Sequence, residues 1–181
     1  MTLKPFVIKN ERETATNNPH LAVVDATLIT PTSKEVTWSY IKTNVAVGIL
    51  AMDSDQNVYL KREWRLNQKS FVWELPAGFV EEENPTEEQI RSAANRELQE
   101  EVGIKAKTLE KLVTFYPSNH MSMIAHIYLG TNLKESTLEP DEHEYLEVKK
   151  LPIREAYQLV TTNQIPTALT LLAFETMLKL R

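Results

Sequence analysis

The stretch that decides the fold is ELPAGFVEEENPTEEQIRSAANRELQEEVGI, Glu74 to Ile104. It opens on the end of an apolar run that Pro76 stops, and then its character changes. From Asn84 to Val102 there is no glycine and little β-branching. Asn84 is a good N-cap, Pro85 suits the first helical position, and Glu87 falls three residues after the cap. Gly103 supplies a left-handed stop. The pattern predicts one helix of about five turns.

In its last turn, Glu97, Glu100 and Glu101 stand at i, i+3 and i+4, so their carboxylates share a face. Like charges at this spacing cost a few tenths of a kcal/mol per pair on a free helix. The helix dipole also disfavours anions at this end. Ala94, Leu98 and Val102 form an adjoining apolar stripe that would face a core. Two readings stand. One is a solvated acidic face, the usual origin of a charge run. The other is a site for a hard cation such as Mg²⁺, which takes oxygen ligands from few protein groups and completes its shell with water and substrate phosphate. Arg96 can offset Glu100 at i+4, but one arginine does not balance three glutamates.

Outward from the helix, the chain reads mostly as strands. Residues 21–30 and 35–43 are rich in β-branched and aromatic side chains, with Pro31 to Lys34 as the turn of a hairpin. VAVGILAM, residues 45–52, is nearly all apolar, as a strand buried on both faces would be. DSDQN is a turn, VYLKREWR the returning strand, and FVWEL, 71–75, another. Further strands are expected at 109–116, 123–130 and 145–150, and helices at 152–162 and 167–180. Strands around one long helix with a helical tail make an α+β or mixed layered domain.

Composition bounds the chemistry. The chain has 181 residues, enough for one domain with a small appendage. Cysteine is absent, which excludes thiolate metal sites and thiol nucleophiles and suits a reducing cytoplasm. Net charge is −5 and no basic run forms a nucleic-acid footprint, so polymeric DNA or RNA is not an expected partner. No apolar run reaches the length of a membrane span, and the first residues lack the apolar core of a signal peptide. The expectation is a cytoplasmic protein.

The quoted stretch resembles the signature of the Nudix hydrolase family. That signature runs Gly, five residues, Glu, seven residues, Arg-Glu, aliphatic, any, Glu-Glu, any, Gly, aliphatic. Arg96, Glu97, Leu98, Glu100, Glu101, Gly103 and Ile104 match its second half, and seven residues separate Glu88 from Arg96. Gly78 departs from it, because nine residues separate it from Glu88 instead of five. Four extra residues are close to one helical turn, so the insertion is expected to lengthen the helix at its start and leave the acidic end alone.

The likeness extends over roughly residues 18–180. Leu75-Pro76-Ala77-Gly78 and Lys61-Arg62-Glu63-Trp64-Arg65 resemble blocks of the ADP-ribose and nucleoside-diphosphate-sugar pyrophosphatase branch. The resemblance implies an α/β/α sandwich with a mixed sheet over residues 45–181. It also implies an N-terminal antiparallel extension over 1–44 that joins two subunits in a homodimer. It implies Mg²⁺, with Mn²⁺ as a substitute. The metal ligands would be the Ala77 carbonyl, Glu97, Glu101 and Glu100, with Glu100 a ligand or the base and Arg96 orienting the glutamates. Arg65 would reach the substrate's phosphates or sugar, with Glu63 beside it. Asp141-Glu142-His143-Glu144 resembles the family's acidic loop, making Glu142 and Glu144 candidate bases or ligands.

After the strand LVTFY, where the family commonly carries a glutamate, Pro117-Ser118-Asn119-His120-Met121-Ser122-Met123 has no acid; His120 is a candidate substrate contact there. Trp38 and Trp64 are candidates to stack on a base or to fill a core. The implied reaction cleaves a nucleoside-diphosphate sugar to a nucleoside monophosphate and a sugar phosphate. A dinucleoside-polyphosphate or RNA-cap hydrolase is the alternative within enzymes. A non-hydrolytic nucleotide-sugar sensor is the alternative outside them, and it would not need the intact glutamate set.

Overall fold

The computed structural model describes residues 4–140, 145–162 and 164–180. The chain divides into two compact units, one of Met1–Asn44 with Tyr116–Met123 and the other of Val45–Phe115 with Ile124–Arg181.

The first unit is an antiparallel sheet of β1 (Val7–Ala15), β2 (Leu21–Ile29) and β3 (Glu35–Thr43), with β2 in the middle. The expected hairpin is β2–β3, closed by the Thr30 N–H donating to the Lys34 carbonyl at 2.8 Å. Strand β2 buries Ala22, Val24, Ala26 and Leu28 at period two. Strand β1 was not among the expected strands. Its VIKNERETA is exposed at every position, so it carries no apolar alternation to read. Backbone pairing to β2 and ion pairs such as Lys9–Glu35 (2.7 Å) and Lys42–Glu13 (2.9 Å) accompany it instead. Residues 116–123 join this unit through Ile41, whose N–H donates to the His120 carbonyl at 2.8 Å.

The second unit contains β4 (Ala46–Ala51), β5 (Asn57–Arg65), β6 (Ser70–Glu74), β7 (Ala77–Phe79), α1 (Glu87–Glu101), β8 (Ile104–Phe115), β9 (Ala125–Glu135), β10 (Glu147–Pro152), α2 (Ile153–Thr162) and α3 (Ala168–Lys179). One sheet has the order β7-β4-β9-β8 and is mixed, since β4 and β9 run parallel and the other pairs antiparallel. The other is antiparallel, β10-β5-β6. Every residue of β4 is buried, and its two faces serve two cores. Val47, Ile49 and Ala51 pack with Ile90, Ala94 and Leu98 of α1. Leu50 packs with Ala156 and Val160 of α2 and Phe174 and Met177 of α3. Helices therefore cover both faces, which is the α/β/α sandwich of the expected α+β class. Among the described residues, no helix is long and apolar enough to cross a membrane.

Helix α1 corrects one expectation. It starts at Glu87, not at Pro85, and Thr86 is its N-cap. The Thr86 hydroxyl accepts from the Gln89 N–H at 3.3 Å, and the Gln89 side chain accepts from the Thr86 N–H at 2.8 Å. This reciprocal capping box satisfies two orphan groups, where Asn84 offers a single cap. The four extra residues after Gly78 consequently lie in the non-helical Glu81–Pro85, and no extra helical turn forms there. At the other end Gly103 has φ +77°, the left-handed stop that its place in the sequence predicts.

Candidate active site

The site is built where α1 ends against β7 and β5. Ala94 and Leu98 are fully buried and fix the helix on the sheet. That anchorage carries Glu97 and Glu101 inward with them; they are 6% and 4% exposed. A solvated acidic face cannot describe these two glutamates. Glu100 is half-buried at the edge.

Glu97 lies against the backbone of β7. A Cβ added at Gly78 would fall inside the Glu97 carboxylate, so the glycine is needed for close approach. Arg96 ties the helix to the same strand. Its guanidinium donates to the Phe79 carbonyl at 3.1 Å, to Glu97 Oε1 at 2.7 Å and to Glu100 Oε2 at 2.8 Å. One arginine thus orients two of the three glutamates.

Glu101 is held by other groups. Its Oε2 accepts the Ala77 N–H at 3.0 Å, and its Oε1 accepts from the Lys61 ammonium. Lys61 is only 1% exposed and also reaches Glu63 Oε2 at 3.1 Å. Arg65 Nη2 contacts the same Glu63 oxygen at 3.0 Å, and Arg65 Nε donates to Glu74 Oε1 at 2.8 Å. Lys61, Glu63 and Arg65 alternate along β5 and so share one face. Glu74 faces Lys61 across the β5–β6 pairing. The result is a chain of alternating charge from Glu101 through Lys61, Glu63 and Arg65 to Glu74.

Burial sets the electrostatics. It pushes the Glu101 carboxyl up to about 8, because Lys61 offsets the desolvation only in part and the Glu97 charge adds to it. Burial also pulls Lys61 down, but the carboxylates of Glu101, Glu63 and Glu74 outweigh it, and the ammonium is held above its ordinary value.

The structure brings Glu97, Glu100, Glu101, Arg96, Ala77, Glu63 and Arg65 into this one region. Trp38 and His120 belong to the first unit. There Trp38 is exposed with its ring 5.0 Å from that of Phe6, and His120 is an exposed loop residue. Trp64 lies in the second unit, exposed and edge-on to Phe71 at 5.4 Å; it alternates with Lys61, Glu63 and Arg65 along β5. Glu142 and Glu144 lie outside the described residues. Two members of the site, Lys61 and Glu74, do not stand out in the sequence as site residues. The signal available for Lys61 is the charged alternation Lys61-x-Glu63-x-Arg65, unusual on a strand whose neighbours Val58 and Leu60 are fully buried.

Among the described residues no three acidic or histidine side chains are arranged around one point as ligands; Lys61 and Arg96 engage these oxygens instead. The donor set nonetheless suits a hard divalent ion. It is all oxygen, and Glu101 Oε1 already takes a buried cation.

The family model described as NUDIX domain matches residues 42–171. The chain belongs to the Nudix family of hydrolases. It is 30% identical over 148 residues to the ADP-ribose pyrophosphatase of Bacillus subtilis (strain 168), covering 80% of this chain and 78% of that protein. It is 32% identical over 129 residues to the ADP-ribose pyrophosphatase of Mycobacterium tuberculosis (strain ATCC 25618 / H37Rv), covering 70% of this chain and 61% of the relative. A crystal structure of an ADP compounds hydrolase superposes with a TM-score of 0.85 over 99% of this chain and 96% of that one; at 23% identity it bears on the fold. Nudix hydrolases generally use divalent metal ions, and the arrangement at the end of α1 is chemically compatible with that habit.

Proposed function

We propose that this Nudix hydrolase is a Mg²⁺-dependent pyrophosphohydrolase of nucleoside-diphosphate sugars, with ADP-ribose or a close relative as its substrate. The observation that carries this reading is the pair Glu97 and Glu101, buried beside Gly78 and Ala77 at the end of α1. Burying carboxylates is costly unless cations or donors answer them, and a site that repeatedly takes up a cation offsets that cost. The two ADP-ribose pyrophosphatases among the relatives support the substrate class.

In the proposed reaction water attacks one phosphorus and the bridging P–O bond breaks. A nucleoside monophosphate and a sugar phosphate leave. When bound, the divalent ion supplies a Lewis acid that neutralises phosphate charge and eases deprotonation of the attacking water. Glu97, Glu101 and the Ala77 carbonyl would hold it, with Glu100 as a further ligand or the base. Arg96 orients Glu97 and Glu100. Arg65, its side chain one-third exposed at 34%, is the proposed contact for the substrate's phosphates, with Glu63 beside it. Glu142 and Glu144 are the other proposed bases or ligands, and Trp38 and His120 are proposed substrate contacts. A homodimer through the N-terminal sheet is part of the proposal. The support is β1, an edge strand exposed throughout, with Phe6, Val7 and Ile8 in the open. Cytoplasmic location rests on the cysteine-free composition.

The test is a substrate screen with Mg²⁺ that measures released monophosphate. It compares ADP-ribose, GDP-mannose, UDP-glucose and diadenosine polyphosphates. A kcat/KM highest for ADP-ribose or another nucleotide sugar is expected. Preference for the diadenosine polyphosphates would overturn the assignment in favour of a dinucleoside-polyphosphate hydrolase.

A further inference from the structure

Lys61 has no role in the reaction as proposed, yet it is among the largest fully buried side chains of the protein. Lysine is almost never fully buried unless paired. Its ammonium sits between Glu101 Oε1 and Glu63 Oε2, while Glu101 Oε2 is committed to the Ala77 N–H. A cation approaching Glu101 therefore meets an ammonium already at the second oxygen. Strand β5 is the central strand of its sheet, paired to β10 on one side and β6 on the other, so the lysine backbone is fixed. Two like charges within a few ångströms and away from water repel strongly.

We propose that Lys61 is a built-in counter-cation of the acid cluster: it positions Glu101 and stands in for a divalent ion at that carboxylate, setting how tightly such ions bind. This rests on the reading of Glu97 and Glu101 as metal ligands. The charge count along β5 makes the consequence definite. With Lys61 present, Glu101, Glu63 and Glu74 face two cations, Lys61 and Arg65. Without it the same three carboxylates face Arg65 alone. A lysine that only filled space would be replaced by a methionine with no gain in metal affinity. A lysine that competes for the carboxylate would, on removal, leave a better cation site.

The experiment uses Mn²⁺ as the probe on metal-free full-length protein at mildly alkaline pH, with calorimetry for affinity and electron paramagnetic resonance for the number of bound ions. Lys61→Met is expected to bind Mn²⁺ about tenfold more tightly, or to bind one more ion, than the natural protein. Lys61→Arg, which keeps the positive charge that repels a second cation, is expected to stay within about twofold of it. If the methionine variant is unfolded, Lys61→Gln carries the same expectation and the same readout. Unchanged or weaker Mn²⁺ binding in the folded neutral variant overturns the proposal, because loss of packing or of stability does not tighten a metal. Glu97→Gln is measured alongside. If that variant binds Mn²⁺ as the natural protein does, the metal-site reading itself fails, whatever Lys61 does.

Discussion

Glutamates crowd both ends of α1, and the two groups meet opposite surroundings. Before and within the first turn, Glu81, Glu82, Glu83, Glu87 and Glu88 are all exposed. Glu87 there accepts from the Tyr128 hydroxyl at 2.8 Å and from Arg91 at 3.1 Å, and Lys111 pairs with it. Those bonds, the one to Lys111 foremost, hold its carboxyl below the usual range, as befits an acid at the favoured end of a helix dipole. In the last turn Glu97 and Glu101 are buried at the disfavoured end, and Glu101 is pushed up to about 8. The first group helps the helix to start. The second works against its own helix and is tolerated because Arg96, Lys61 and the Ala77 N–H answer it. Acid placed where local physics opposes it is a stronger sign of function than acid placed where local physics welcomes it.

The sharpest way to break this contrast is to neutralise one acid from each group. Glu97→Gln should lower Mg²⁺-dependent kcat/KM about a thousandfold, since metal chemistry is worth several kcal/mol of barrier. Glu83→Gln should leave it within about twofold, because an exposed glutamate outside the helix has nothing buried to hold. Circular dichroism should show both variants folded. Equal activity in the two would remove the distinction between the ends.

A second test reads Glu101 without turnover. Its folded pKa, about 8, lies above its ordinary 4.5. Between those values the unfolded chain gives up the proton and the folded chain keeps it. Stability from this group is therefore complete below about pH 4.5, falls as pH rises, and is lost by about pH 8. The slope is about 1.4 kcal/mol per pH unit at most. Melting temperatures of the metal-free protein and of Glu101→Gln should converge or diverge across that window and run parallel above it. Parallel curves throughout would mean Glu101 is ionised from the start.

How far these regions could be read in advance follows from how local their causes are. The i, i+3, i+4 spacing of Glu97, Glu100 and Glu101 and the left-handed Gly103 need only helix geometry, and both are visible in the sequence. So is β4, because burial on both faces leaves an unbroken apolar run. Strand β1 is not, since an exposed polar edge strand pairs by backbone and leaves no periodic mark. The partners of Glu101 are also hidden. Lys61 is 40 residues away, and its meeting with Glu101 depends on the register of β5 and on how α1 docks. The alternation Lys61-x-Glu63-x-Arg65 shows that one face of β5 is charged, but not that it is buried. Glu63, Arg65 and Lys61 all stand in a block that resembles the family's, but the resemblance implies a role for Arg65 with Glu63 beside it and none for Lys61.

The start of α1 departs from its sequence pattern for a reason that can itself be tested. Asn84 and Thr86 are both acceptable caps two residues apart, and the choice between them falls to Gln89, whose side chain returns a bond to the Thr86 N–H. Thr86→Ala should cost about 1 kcal/mol, the usual worth of an N-cap hydroxyl, seen as a shift of a few degrees in melting temperature. Asn84→Ala should cost a few tenths at most. The acid cluster lies at the far end of the helix, bound to β5 by the Lys61–Glu101 ion pair and to β7 by hydrogen bonds, so kcat/KM should be unchanged in both. If Asn84→Ala were the costlier change, the helix would begin where its sequence first suggests, and the extra residues after Gly78 would form a helical turn after all. If Thr86→Ala also slowed hydrolysis, the two ends of α1 would be coupled through the helix, and the opposition between them would be one of degree.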